Sequence, residues 1–205
     1  MVGKWNRSVI LTYFGILLAL TAMFFFVSGQ AKYAMLCFMT SGICDLFDGA
    51  VARKCKRTEE EKSFGIQLDS LADVFNFVAL PIVLIISVCG LRWYSIVPCA
   101  MYAVLGIARL AYFNVVAEEK ADKDKPVKYY TGLPVTYAAL IFPVAYLLTV
   151  ILDMTVAMYI LCAVMAVTAL LFGLRIKFIK PGKKGYIFFS LLLIAMLVLY
   201  IVLVR

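Results

Sequence analysis

The sequence predicts an all-α integral membrane protein, a single bundle of about seven transmembrane helices. Three observations predict it. Hydrophobic residues make up 65% of the 205 and charged residues only 16%, against about 45–50% and about 25% in a soluble domain. The apolar residues fall into seven long runs. The basic residues crowd onto alternate connections between those runs. A soluble particle of this size could not cover its surface with so few charges. The composition excludes an ordinary soluble domain, a disordered chain and a secreted disulfide scaffold.

The runs lie at 8–28, 33–52, 65–90, 93–116, 133–152, 154–174 and 186–204. In lipid each segment must satisfy its own backbone groups, so each run is read as a helix. The alternating pattern of a barrel strand is absent. The first run is too long for the apolar core of a signal peptide and lacks a clear small-residue cleavage site. A count of six or eight follows if one run is re-entrant or split. Three connections, 53–64, 117–131 and 175–185, are long and polar, and the others are a few residues each. No repeat or low-complexity stretch divides the chain, so residues 1–205 read as one transmembrane domain.

Charge orients this bundle. Of the 20 Lys and Arg residues, 16 fall on the N-terminus and the three long loops. Lys32, Arg92 and Arg205 fall on the opposite side, and Arg109 lies inside a run. The asymmetry predicts a cytoplasmic N-terminus, cytoplasmic long loops and an external C-terminus. The net charge of +8 is therefore read as a preference for anionic headgroups of membrane lipids, not for nucleic acid. The sequence has no histidine, which excludes imidazole as base, phosphate carrier or metal ligand. Its six cysteines contain no CxxC pair, and five lie in apolar runs. They read as small hydrophobes, not as a disulfide framework or a zinc site.

Eight of the twelve acidic residues sit in loops or turns. Asp45, Asp48, Asp69 and Asp73 lie inside or at the ends of apolar helices. Each costs about 2.5–3.5 kcal/mol at such a position even on the lenient insertion scale, so a lipid-facing wall would not retain four. Asp45 and Asp48 are spaced i,i+3, and Asp69 and Asp73 i,i+4, so each pair shares one helix face. The two helices are consecutive and antiparallel, which brings all four carboxylates into one pocket near the cytoplasmic surface. Four anions together call for cations. Oxygen ligands alone select Mg²⁺, Mn²⁺ or Ca²⁺, and two ions match the charge. Gly49, Ala50 and Ala52 follow Asp48, and Gly65 precedes Asp69 by four residues. Such small residues also serve helix packing in membranes. Beside four carboxylates and Arg53, they point to a diphosphate-bearing ligand.

Written as a string, the segment is Asp45-x-x-Asp48-Gly49-x-x-Ala52-Arg53, then Gly65-x-x-x-Asp69-x-x-x-Asp73. It resembles the signature of the CDP-alcohol phosphatidyltransferase family, membrane enzymes that join a CDP-linked lipid to an alcohol and release CMP. The stretch 54–64 is longer here than in the family, with the extra length at 56–61. The resemblance implies that Asp45, Asp48 and Asp69 bind two divalent metal ions, Mg²⁺ or Mn²⁺, with Asp73 also near a metal and acting as general base. It implies that Gly49, Ala52 and Arg53 line the site for CDP-diacylglycerol, together with Asp45, Gly65 and a loop hydroxyl, Thr58 or Ser63. Thr12 on the first helix is the candidate for a polar contact to the nucleotide; a hydroxyl bonded back to its own helix is the alternative. The family also implies a homodimer.

Two later stretches, Arg109-Leu110-Ala111-Tyr112-Phe113-Asn114 and Gly132-Leu133-Pro134, resemble the phosphatidylserine-forming branch. Tyr112 stands where that branch tends to carry a second Arg. The implied acceptor is L-serine, with Arg109 and Asn114 as its candidate contacts. A guanidinium fork suits the serine carboxylate, while charge balance for the Asp cluster is the other reading of Arg109. Glycerol 3-phosphate or inositol phosphate would ask for a denser basic cluster. A divalent cation transporter is the rival from another class, since intramembrane Asp pairs also line ion paths. The clustering of the acids at one surface argues against it.

Overall fold

The computed structural model describes residues 3–121, 129–179 and 183–203. Seven helical rods run through these residues. They are α1 (Ile10–Val27), α2 (Ala31–Lys54), α3 (Glu59–Cys89) and α4 (Trp93–Ala121), then α5 (Val135–Ile151), α6 (Met154–Gly173) and α7 (Lys183–Leu203). Five are long and apolar enough to cross a membrane, and α5 and the apolar part of α7 are shorter. The seven rods coincide with the seven apolar runs of the sequence. Phe24, Leu17, Val104 and Val202 are among many large apolar side chains that face outward. Such a surface is stable against lipid and not against water. The chain is a multi-pass membrane protein.

The core is a layer of large side chains between the rods. Phe38, Met35 and Met39 of α2, Phe77, Leu80 and Leu84 of α3, Tyr102 of α4 and Phe142 of α5 are all fully buried. Packing is most extensive between α1 and α2 and between α4 and α6. Gly42 permits the approach of α5 to α2: a Cβ there would lie 2.6 Å from the Cβ of Ala139.

Local chemistry extends the helices beyond their apolar runs. Much of the expected loop 53–64 is helical, because Thr58 and Glu61 form a capping box. Glu61 N–H donates to Thr58 Oγ1 at 3.2 Å, and Thr58 N–H donates to Glu61 Oε2 at 2.8 Å. Glu59, Glu60 and Glu61 occupy that first turn, where the helix dipole favours anions. Within α3, residues Val74–Ala79 form a π-helical turn. Pro81 explains it. Proline has no N–H for the carbonyl four residues back, Phe77, and its ring crowds that carbonyl. The hydroxyl of Tyr102 on α4 donates to Phe77 O at 2.7 Å instead.

A small ribbon, not expected from the sequence, joins two of the polar connections. β1 (Tyr129–Thr131) pairs antiparallel with β2 (Lys177–Ile179), Tyr130 opposite Phe178. Lys123, Lys125, Lys128, Lys180 and Arg205, which contribute to the charge asymmetry, lie outside the described residues.

Candidate active site

The acid residues meet where α2 and α3 converge beside their connecting loop. Oxygen atoms of Asp45, Asp48 and Asp69 all lie within 4.8 Å of one another. Asp73 lies beside Asp45 in the same cluster. Carboxylates this close repel one another unless a proton or a cation sits among them. Asp48 is buried, Asp45 half-buried and Asp69 exposed, so the group is open on one side. Asp73 Oδ1 is buried with no hydrogen-bond partner. Hard oxygen donors at this spacing, one of them unsatisfied, fit a divalent cation.

Around them is a cavity of about 290 Å³, lined by all four aspartates, Gly49 and Arg53 from α2 and α3. The rest of its wall comes from elsewhere in the chain. Arg109 and Phe113 project from α4, Pro134, Thr136 and Tyr137 from the start of α5, and Phe189 and Leu193 from α7. That part of the lining is largely apolar, and Arg109 is the exception in it. It is 8% exposed, and its guanidinium lies 5.3 Å from the centre of the Phe113 ring. Its positive charge acts on Asp73.

The Gly132-Leu133-Pro134 stretch holds this wall in place. Gly132 has a φ of +80°, and its N–H donates to Ile176 O at 2.8 Å. A Cβ there would stand 3.1 Å from the carbonyl oxygen of Phe172 and 3.7 Å from Cγ of Arg109. Only glycine takes that backbone conformation and that approach without strain.

The remaining candidates are placed as follows. The Thr12 hydroxyl donates to Asp48 Oδ2 at 3.1 Å, tying α1 to a carboxylate and not to its own helix. Ala52, Ser63 and Gly65 do not line the cavity. Gly65 faces the guanidinium of Arg57, whose Nη1 would lie 3.8 Å from an added Cβ. Asn114 is also outside the lining; its Nδ2 donates to Ser70 Oγ at 2.8 Å and links α4 to α3. Phe113, Thr136, Tyr137 and Phe189 carried no signal in the sequence, because apolar and aromatic residues are ordinary in membrane helices. Phe113, one turn beyond Arg109, was the one that helical spacing could have offered.

The description of the family whose model matches residues 5–171 is CDP-alcohol phosphatidyltransferase. That match covers most of the chain, including both halves of the acid motif, and the chain belongs to this family. Among curated relatives, it is 32% identical over 128 residues to a CDP-diacylglycerol–serine O-phosphatidyltransferase of Saccharomyces cerevisiae, covering 60% of this chain and 45% of the relative. It is 33% identical over 122 residues to an archaetidylserine synthase of Methanothermobacter thermautotrophicus, covering 59% and 49%. It is 31% identical over 130 residues to a CDP-diacylglycerol–serine O-phosphatidyltransferase of Helicobacter pylori, covering 62% and 52%. The chain spans about half the length of the curated relatives it matches.

Proposed function

We propose that this protein transfers the phosphatidyl group of CDP-diacylglycerol to L-serine and releases CMP. The observation that carries the reading is one cavity lined by four carboxylates and by a single buried guanidinium. The carboxylates suit a metal-bound diphosphate. The guanidinium suits a small acceptor with one carboxylate. The names of the relatives support the same donor and acceptor.

Asp45, Asp48 and Asp69 would hold the divalent ions, Mg²⁺ or Mn²⁺, which when bound neutralise the diphosphate and the departing CMP. The rest is the work of this chain. Arg109 binds the serine carboxylate and presents the hydroxyl to the acid wall. Asp73 takes the hydroxyl proton. The serine oxygen forms its bond to the lipid-side phosphorus, and the bond from that phosphorus to the CMP oxygen breaks with its electron pair. Gly49 and Arg53 serve the diphosphate from the lining, Ala52 and Gly65 serve the nucleotide from beside it, and Thr12 orients Asp48. The acyl chains stay in the bilayer and enter past the apolar wall. The single catalytic domain works as a homodimer with its site near the cytoplasmic face, where the basic loops lie.

The test is CMP release by purified protein in mixed micelles of CDP-diacylglycerol, with L-serine, glycerol 3-phosphate or inositol phosphate added in turn. Release should require serine and a divalent ion. Release driven by another alcohol would transfer the acceptor assignment to that alcohol, and no release with any of them would remove the transferase reading.

A further inference from the structure

Two glycines flank the acid cluster, Gly49 next to Asp48 and Gly65 one turn before Asp69. Each opens onto a guanidinium. A Cβ built on Gly49 meets Nη1 of Arg53 at 3.5 Å, and one built on Gly65 meets Nη1 of Arg57 at 3.8 Å. Leaving aside each glycine's two chain neighbours and its helix's own nearby backbone, no other described atom lies within 4 Å of either position. Each glycine thus leaves a bare backbone face with an arginine tip over it, Gly49 in the lining of the acid cavity and Gly65 outside that lining, one turn from Asp69.

Arg57 is not accounted for by its own surroundings. Its Nε is buried without a hydrogen-bond partner. Three glutamates follow it closely, yet all are engaged elsewhere. Glu59 pairs with Lys62 at 2.6 Å, Glu60 with Lys4 at 2.7 Å, and Glu61 accepts from the Thr58 N–H. A buried guanidinium N–H without an acceptor is costly, and an anion that reached it would remove the cost. Arg57 also stands in the segment 54–64, between the two halves of the acid motif and outside its fixed positions.

We propose that Arg57 binds a phosphate of the nucleotide half of the donor, as a partner to Arg53 across the Gly49 and Gly65 faces. The inference rests on the donor reading above and adds a recognition residue to it. A phosphate seated there would have divalent ions on the aspartate side and guanidinium groups on the other, an arrangement that suits bidentate arginine contacts. The missing Cβ atoms leave room for it.

The experiment measures binding of CMP and of inorganic pyrophosphate to the full-length protein with Mg²⁺ or Mn²⁺, alongside KM for serine. Arg57→Ala should weaken CMP and raise the donor KM by about tenfold or more, the loss expected for one charge-assisted contact, and leave serine KM unchanged. Gly65→Ala gives a second line of evidence. Its methyl makes an ordinary contact with Arg57 in the free protein, so thermal stability should hold while CMP affinity drops. Wild-type affinity for both anions in Arg57→Ala overturns the proposal, and so does an equal loss for donor and serine. If the wild type binds pyrophosphate but not CMP, and Arg57→Ala loses it, the arginine pair stands and the nucleotide donor reading fails. Wild-type protein that binds neither removes both.

Discussion

Replacing Arg109 by lysine separates its two roles. Lysine keeps the charge that acts on Asp73 but loses the planar fork that a carboxylate accepts in two-pronged fashion. The contact with the Phe113 ring at 5.3 Å is worth about 2 kcal/mol where the pair is desolvated. It is present with and without substrate, so it cancels from KM and appears in thermal stability. The contact with serine exists only in the complex. Losing a charge-assisted hydrogen bond of about 1.5–3 kcal/mol raises serine KM about 10–150-fold, at roughly tenfold per 1.4 kcal/mol. The proposed donor site is built on Asp45, Asp48 and Asp69, so donor KM should move little. The assay is CMP release with each substrate varied while the other saturates, and a melting curve of the same preparation. An unchanged serine KM, or equal rises for both substrates, would refute serine binding by Arg109 and leave charge balance as its role.

Asp73→Asn should cut turnover by about 10²–10⁴-fold, the usual cost of a lost general base, while CDP-diacylglycerol still binds; near-normal turnover would reassign the proton acceptor. Asp45→Ala or Asp48→Ala each delete a carboxylate from the trio within 4.8 Å and should abolish the dependence of donor affinity on divalent ions, read by titration with and without chelator. Tyr102→Phe leaves the Phe77 carbonyl without its 2.7 Å hydroxyl donor and should lower stability by about 1–3 kcal/mol, with turnover falling further if the π-turn also fixes the aim of Asp73; a wild-type melting temperature and rate would show that the turn supports itself. Gly42→Ala brings a methyl to 2.6 Å from Ala139 Cβ, an atom fixed to backbone, and should cost about 1–3 kcal/mol through forced separation of α2 and α5, seen as a lower melting temperature in detergent.

The helices and the acid wall were legible because both rest on strong local signals. A run of apolar residues spans a membrane whatever its neighbours, and four aspartates in such runs have few alternatives. Spacing alone placed Asp45 with Asp48 and Asp69 with Asp73 on common faces. The rest of the lining was legible only at Arg109 and Pro134. Thr136, Tyr137 and Phe189 reach the cavity through the packing of α5 and α7, which no local pattern encodes. Asn114 shows the same limit: its rotation toward Ser70 is set by how α4 lies on α3. The first turns of α3 were readable in principle, since Thr58 and Glu61 form a capping-box pattern, but the glutamates made the segment look like loop. Pro81 marked a disturbance in α3, yet whether it kinks the rod or widens one turn depends on a donor such as Tyr102 arriving from another helix. The β1–β2 ribbon joins three-residue pieces far apart in sequence, too short for any periodicity to show.

Under the proposed transfer, the cavity also sets the kinetic regime. Arg109 would meet a molecule dissolved in water, while the carboxylates and the apolar residues Phe189, Leu193 and Leu140 would meet one that never leaves the membrane plane. The effective amount of the lipid substrate is then its surface density, not its bulk molarity. Adding inert detergent at constant total CDP-diacylglycerol should slow the protein as the donor's mole fraction in the micelle falls, while the response to serine still follows its concentration in solution. In a cell, the proposed reaction would respond to the lipid composition of the membrane and, separately, to the soluble serine pool.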